Sequence, residues 1–155
     1  MDATLIRVWG NGAVCYQESI NITDDSRHGC LCVRTIYDST IFPWEWVNPP
    51  MELGVEYRTT ERYRDKSVYA KLIDCGTIPA QGTYKTLVFS SDKVGFIVSV
   101  TAYSSMRGTT LPYYDMNGVR YAIAGNESSI IIWNYSEPLL DTSVSALVKY
   151  TKSTD

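Results

Sequence analysis

The chain has 155 residues and a formal net charge of −3, with 14 Lys and Arg against 17 Asp and Glu. This length allows one compact domain, or one domain with a small appendage. A surface of mixed charge gives no electrostatic reason to bind nucleic acid or an anionic membrane. No apolar run approaches the roughly 18 residues of a membrane span, and the N-terminus lacks the pattern of a secretory signal. We therefore expect neither a nucleic-acid partner nor membrane insertion.

Strand patterns dominate the chain, and helical periodicity is nearly absent. Runs of alternating residues, rich in β-branched and aromatic types, are bounded by Gly, Asn, Asp, Ser and Pro. The predicted strands cover 4–9, 14–20, 30–37, 55–63, 67–75, 84–90, 94–103, 119–124, 129–135 and 144–151, with a weaker candidate at 110–114. Short strands at regular spacing predict an all-β fold, an antiparallel β-sandwich of jelly-roll type.

One domain boundary is visible at Asn48-Pro49-Pro50. The two prolines cannot donate backbone hydrogen bonds and favour an extended path. They divide a small β-segment, residues 1–47, from a larger β-sandwich domain, residues 48–155. The few short strands of the first segment make a marginal core on their own. We expect this segment to pack on the larger domain or on a neighbouring subunit.

The segment 42–71, FPWEWVNPPMELGVEYRTTERYRDKSVYAK, carries the most specific pattern of the chain. Its W-x-W-x-N-P-P-M-x-x-G-V-E-Y-R-T-T-E-R stretch resembles the opening of the C-terminal domain of bacteriophage tail-fibre and receptor-binding proteins. The closing SALVKYTKSTD is similar to the last strand of the same domains. The N-terminal part is similar to the knob-type β-repeats of phage fibres and pyocins in Gln17, in the SRHGCLCVRT run at 26–35 and in its Tyr37…Trp44-x-Trp46 ending. The resemblance covers residues 44–155 and, more faintly, the segment before them.

The resemblance implies a protein of the virion that is assembled in the cytoplasm of the host bacterium. It implies a homotrimer that is joined to an upstream fibre shaft or tail protein. Its partner outside the virion would be a receptor on the bacterial surface, and a polysaccharide is the expected receptor class. A virion adhesin of this kind needs no cofactor, and we predict none.

The predicted hairpin at 55–75 turns at Arg64-Asp65-Lys66 and has one strongly charged face. A strand face of this kind often only faces water. In a trimer, however, its charges could pair across subunits and fix the register of assembly. The candidate assembly residues are Glu56, Arg58, Glu61 and Arg62.

Aromatic and polar residues near the predicted turns of the C-terminal half are the candidates for receptor contact. Aromatic rings cover the apolar C–H faces of sugars, while amides and carboxylates bind hydroxyl groups. Some of these residues could equally belong to the core, because Trp133 follows three consecutive isoleucines. The candidate glycan-binding residues are Tyr103, Tyr113, Tyr114, Asp115, Tyr121, Trp133, Asn134 and Tyr135.

Four cysteines, at positions 15, 30, 32 and 75, show no zinc-binding or C-x-x-C spacing. We expect free and mostly buried thiols. His28, Cys30 and Cys32 share one strand face, and three copies around a trimer axis could hold a soft metal. With one histidine per chain, we predict no metal site.

Motifs of known enzymes are absent, among them G-x-S-x-G, the P-loop and H-E-x-x-H. We therefore predict a protein that is not an enzyme and has no catalytic residues. Two alternatives to an adhesin stay open. The domain could be a structural cap that trimerises and ends a fibre without touching the host. It could also be a small polysaccharide hydrolase, because such a reaction needs only two well-placed carboxylates.

Overall fold

The computed structural model describes residues 4–22, 29–88, 94–105, 110–114, 120–126, 129–135 and 142–154, in which every regular element is a β-strand. In this part of the chain there is no helix long and apolar enough to cross a membrane. The strands are β1 (Thr4–Asn11), β2 (Val14–Asn21), β3 (Leu31–Tyr37), β4 (Thr40–Ile41), β5 (Glu45–Trp46), β6 (Glu56–Tyr63), β7 (Lys66–Thr77), β8 (Thr83–Val88), β9 (Val94–Ser104), β10 (Thr110–Leu111), β11 (Tyr113–Tyr114), β12 (Arg120–Gly125), β13 (Ser129–Asn134) and β14 (Ser143–Lys152).

Two sheets contain these strands. The larger sheet has the order β1-β2-β3-β5-β6-β7-β14-β9-β10, with β4 beside β3, and the smaller has the order β11-β12-β13-β8. Neighbouring strands are antiparallel, apart from β5 and β6, which meet in parallel at Trp46 and Thr59. The larger sheet therefore runs without interruption from the N-terminal segment into the C-terminal domain. The predicted all-β antiparallel sandwich is confirmed.

The core lies between the C-terminal half of the larger sheet and the smaller sheet. β14 lies between β7 and β9, and its alternate residues Val144, Ala146, Val148 and Tyr150 are almost completely buried. They form one cluster with buried residues of β13, chiefly Ile130 and Ile132. Each such apolar side chain contributes roughly 1.5–3 kcal/mol when it leaves water. The alternation in the sequence of β14 therefore records which of its two faces is buried.

Most strand predictions are confirmed to within two residues wherever the structure describes them. The weak candidate at 110–114 is two strands, because the chain changes sheet at Pro112: β10 pairs with β9 and β11 pairs with β12. β4 and β5 were not predicted. Each has only two residues, which is too short to show an alternating pattern.

The β6–β7 turn has a backbone conformation that its residue types do not predict. Arg64 and Asp65 have φ of 50° and 64°, between the paired residues Tyr63 and Lys66. Two consecutive residues with positive φ form the turn that matches the twist of a hairpin, and Asn-Gly is its usual sequence. The predicted turn is confirmed in position. Its conformation is decided by the two long strands that it joins.

The N-terminal end of the larger sheet is exposed on both faces. Every residue of β1 is exposed, including Ile6 and Val8 at 58% and 57%. Pairing through β2 and β3 places these two residues on the same face as Ile41, which is 61% exposed. Large exposed apolar residues on one face of an edge strand are an association hazard unless another surface covers them.

Thiol chemistry gives one prediction for the core. All four cysteines are free, and Cys75 is buried in the core cluster. Burial raises the pKa of the Cys75 thiol from 9.0 to about 11. A raised pKa means less thiolate at pH 8, and the thiolate is the form that reacts with alkylating reagents.

We expect iodoacetamide at pH 8 to alkylate Cys75 at least about 100-fold more slowly in the native protein than in urea. A pKa that is higher by two units lowers the fraction of thiolate by about that factor. Peptide mass mapping over time measures the two rates. Equal rates would show that Cys75 is accessible and would contradict the described core.

Candidate functional site

Glu45 connects the N-terminal part of the larger sheet to the C-terminal part. The strand β5 pairs with β3 on one side and with β6 on the other. The Glu45 carboxylate accepts a hydrogen bond from Arg58 Nε at 3.0 Å. Nη2 of Arg62 lies 2.7 and 2.8 Å from its two oxygens. The Glu45 side chain is only 15% exposed, so this is a well-shielded, charge-assisted contact between β5 and β6.

The two tryptophans beside Glu45 extend the same contact. The Arg34 guanidinium lies 4.4 Å from the centroid of the Trp44 ring, and its Nε donates to Gln17 at 2.7 Å. Trp46 packs edge-on against Tyr57, with centroids 5.6 Å apart and an interplanar angle of 88°. Both geometries are favourable for aromatic side chains.

The side-chain contacts of Asn48 explain why an asparagine precedes the two prolines. Its side-chain oxygen accepts from the Leu31 backbone N–H, and its side-chain nitrogen donates to the Gly29 carbonyl at 3.0 Å. The side chain therefore pairs backbone groups next to the start of β3. Asn48 connects the two parts of the larger sheet together with Trp44, Glu45 and Trp46. We call these four residues the joint.

A groove of about 500 Å³ opens over the joint. Strands β2 and β3 form one wall, the segment before β5 forms a second, and the β6–β7 hairpin forms the third. We call it the arginine groove. Its lining residues are Tyr16, Val33, Arg34, Thr35, Phe42, Pro43, Glu45, Arg58, Arg62, Asp65 and Ser67.

The arginine groove combines planar cationic donors, carboxylates, hydroxyl groups and aromatic surface. Phe42 is about half exposed and offers an apolar face at the rim. Guanidinium and carboxylate groups bind hydroxyl groups, while rings cover C–H faces, so the lining suits a hydroxyl-rich ligand. The groups are held in place by the joint, which lowers the cost of ordering them when a ligand binds.

The four candidate assembly residues all have partners in their own chain. Arg58 and Arg62 pair with Glu45. Glu56 accepts from the Tyr150 hydroxyl and lies 2.5 Å from Lys152 Nζ. Glu61 lies 2.5 Å from Lys149 Nζ. The structure thus brings two of the four into the arginine groove and places the other two against β14.

The candidate glycan-binding residues do not form one exposed surface, although Tyr113, Tyr121 and Asn134 are paired neighbours in the smaller sheet. Tyr103 is exposed on the larger sheet, where it pairs with Thr110 and Ser145. Trp133 is half-buried and lies opposite Tyr84 in the smaller sheet, and Tyr135 is exposed just after it.

Two further candidates belong to the interior. Tyr121 is part of the core cluster. Asn134 is completely buried, and its side-chain nitrogen donates to the Pro79 carbonyl at 2.9 Å. Tyr113 and Tyr114 form β11. Asp115 lies outside the described residues. A ligand on the surface therefore cannot reach Tyr121 or Asn134 in this conformation.

Sequence reasoning missed Glu45, Arg34 and Phe42 as candidate site residues. The signal for Glu45 was its position inside the W-x-W motif, but only the pairing of β5 with β6 reveals its arginine partners. No cluster of three or more His, Cys, Asp or Glu side chains in the described ranges could hold a metal ion, and His28 lies outside them. Among the described residues, Glu45 and its two arginines form a polar cluster in which one carboxylate accepts three side-chain hydrogen bonds.

No protein-family model matches the chain, and no curated protein matches it. Solved structures of pyocin tail fibres are similar to it. An N-truncated R2-type pyocin tail fibre is 12% identical with a TM-score of 0.39, and the match covers 94% of this chain and 81% of that one. C-terminal fragments of the R2 and R1 pyocin fibres of P. aeruginosa are 10% and 11% identical, with TM-scores of 0.39 and 0.29. This chain spans 56% of each fragment.

Proposed function

We propose that this chain is the distal part of a bacteriophage tail fibre, which attaches the virion to a polysaccharide of the bacterial surface without covalent chemistry. The arginine groove is the observation that carries the proposal. It is a preformed cleft of about 500 Å³ with aromatic and hydroxyl groups beside paired charges. These are the groups by which proteins recognise sugars. The motif at residues 44–62, which resembles phage fibre domains, supplies six residues of the joint and groove.

The exposed apolar face of β1 supports assembly as a homotrimer. Ile6, Val8 and Ile41 lie on one face of an edge strand and its neighbours, and all are more than half exposed. Burying such residues stabilises association by roughly 25 cal/mol per Å² of apolar surface. A second and third copy of the chain, or the upstream fibre shaft, would cover this face during assembly in the host cytoplasm.

Assembly would also strengthen attachment. A shallow polysaccharide site binds weakly by itself, because much of the ligand stays in water. Three linked sites raise the effective concentration of the second and third binding events, which gives avidity about 10²–10⁴-fold beyond a single site. A fibre tip therefore needs only modest affinity in each groove.

A glycan array that is probed with the purified protein tests the proposed receptor class. We expect binding to bacterial surface polysaccharides, and we expect Phe42→Ala to reduce it about tenfold, because the half-exposed ring stacks on the sugar. Val88→Ala is the matched control, since Val88 is an exposed apolar residue far along the other sheet. Loss of binding in Trp133→Ala but not in Phe42→Ala would move the site to the smaller sheet.

Light scattering tests the assembly. We expect a mass of three 17.5 kDa chains for the native sequence. The double variant Ile6→Lys, Val8→Lys should have the mass of one chain, because it places charges on the apolar face. Thr86→Lys, at an exposed position of β8, is the control and should keep the trimer mass. A native monomer would overturn the proposed assembly of the isolated chain.

A structural cap is the second candidate function, and the joint favours it. The motif residues Trp44, Trp46 and Asn48 are all engaged in contacts inside the chain. A cap would form the trimer and bind no glycan on the array. Release of reducing ends from a host polysaccharide would instead indicate a hydrolase. It would contradict the proposal that attachment involves no covalent chemistry.

A further inference from the structure

A second cleft lies at the opposite side of the β6–β7 turn from the arginine groove. There the last residue of β6, Tyr63, stacks on Phe96 of β9. The two ring centroids are 5.0 Å apart and the planes are inclined by 4°. Phe96 is 46% exposed. The pair is therefore an ordered aromatic surface that remains open to solvent.

Two cations border this aromatic pair. The Arg64 guanidinium carbon lies 5.4 Å from the Tyr63 centroid and 5.9 Å from the Phe96 centroid. Lys66 Nζ donates to the Lys152 carbonyl at 3.3 Å, which holds it at the rim. Among the described residues, neither Arg64 nor Lys66 forms an ion pair.

The charge of the cleft is one-sided. Its described lining contains both cations, both rings and two hydroxyl residues, and no carboxylate. Asp65, between the two cations in sequence, lines the arginine groove instead. The two central residues of the turn, Arg64 and Asp65, therefore line different clefts. An anion thus meets two cations without a nearby described acid.

The cleft has the size and rigidity of a binding site. Its volume is about 390 Å³, and its lining residues are Tyr63, Arg64, Lys66, Gly95, Phe96, Thr151 and Ser153. This volume lies within the range of roughly 300–1,000 Å³ that is usual for small-ligand sites. A Cβ at Gly95 would meet the backbone of Lys152 and Ser153 at 3.0 Å. Glycine therefore lets β9 approach β14 closely at the wall of the cleft.

We propose that this cleft binds a sugar residue that carries a carboxylate, that is, a uronic acid within the polysaccharide. The pyranose ring would lie on the exposed face of Phe96, while its carboxylate would pair with Arg64 and Lys66. Aromatic stacking selects a sugar ring, and the planar guanidinium binds carboxylates in two-pronged geometry. The inference rests on the proposed function, because it names the class of polysaccharide that the fibre recognises.

Titration calorimetry with trigalacturonate and with its methyl ester tests the proposal. The two ligands share rings and hydroxyl groups and differ in charge. We expect trigalacturonate to bind, and the ester to bind at least about tenfold more weakly. Phe96→Ala and Arg64→Asn should each weaken binding of trigalacturonate by about tenfold. Asparagine accepts the positive φ of Arg64, so the turn is retained.

Asp38→Asn is the matched control, since Asp38 is an exposed turn residue with a φ of 41°, which asparagine accepts, and it lines neither cleft. It should leave the binding of trigalacturonate unchanged. Equal affinity for the ester, or displacement of trigalacturonate by sulfate at the same concentration, would overturn the proposal by showing that the carboxylated ring is not what the cleft selects.

The array experiment separates this inference from the proposed function. Array binding that depends on Phe42, without any binding of trigalacturonate, would refute the uronic-acid cleft and leave the adhesin intact. Binding of trigalacturonate that Phe96→Ala abolishes, in a protein that binds no bacterial polysaccharide, would support the cleft and refute the adhesin.

Discussion

Replacing Ile132 by alanine should lower the free energy of unfolding by about 2–5 kcal/mol. The Ile132 side chain is completely buried between the two sheets, in one cluster with Ile130, Val148 and Tyr150. Alanine loses the transfer free energy of the removed atoms and leaves a cavity that strands on both sides can close only in part. Urea denaturation, followed by circular dichroism, measures the change.

Ile131→Ala is the internal control for this result. Ile131 is the next residue of β13, so its side chain points to the outer face of the smaller sheet, where it pairs with Thr86 and Ala124. The same atoms are removed, but the site is only half-buried. We expect a loss of less than about 1 kcal/mol. Equal losses in the two variants would contradict the assignment of the core face.

Glu45→Ala should lower the free energy of unfolding by about 2 kcal/mol. The substitution removes the acceptor of three hydrogen bonds from Arg58 and Arg62. Hydrogen bonds to charged groups contribute roughly 1.5–3 kcal/mol when shielded, but the contribution of Arg62 is discounted because its side chain is 44% exposed. Tryptophan fluorescence reports on the joint, since Trp44 and Trp46 flank Glu45.

Glu61→Ala provides the comparison for the Glu45 variant. Glu61 pairs with Lys149 on the outside of the sheet, and its side chain is 51% exposed. An exposed ion pair contributes about 0–1 kcal/mol, so the variant should unfold nearly like the native protein. If Glu61→Ala were as damaging as Glu45→Ala, surface charge in general, rather than the joint, would set the stability.

The contacts of the joint change the interpretation of the motif at residues 44–62. The resemblance suggested a signature of receptor-binding proteins, but the contacts of Trp44, Trp46, Asn48 and Glu45 are structural. They hold β5 between β3 and β6, and they thereby place Glu45 in the lining of the arginine groove. In the proposed function, the motif would position the groove, while Phe42 and the cations at the rim would meet the ligand.

The candidate site was only partly predictable. Arg58 and Arg62 stood out as charged residues of a hairpin, but Glu45, their partner, is 13 and 17 residues away in the chain. Trp133 and Asn134 are adjacent, yet one is half-buried and the other is completely buried. Aromatic residues near turns look alike in sequence, whether they face solvent or the core, because burial depends on which sheet covers them.

The sequence by itself determined the all-β class and the positions of the longer strands, because a period of two records which face of each strand is buried. Tertiary structure alone decided how β5 joins the two parts of the larger sheet and how the chain changes sheet at Pro112. It also decided that Tyr63 and Phe96, which are 33 residues apart in the sequence, meet in a cleft. Local patterns report burial on one strand, whereas pairing between distant strands depends on the packing of the whole chain.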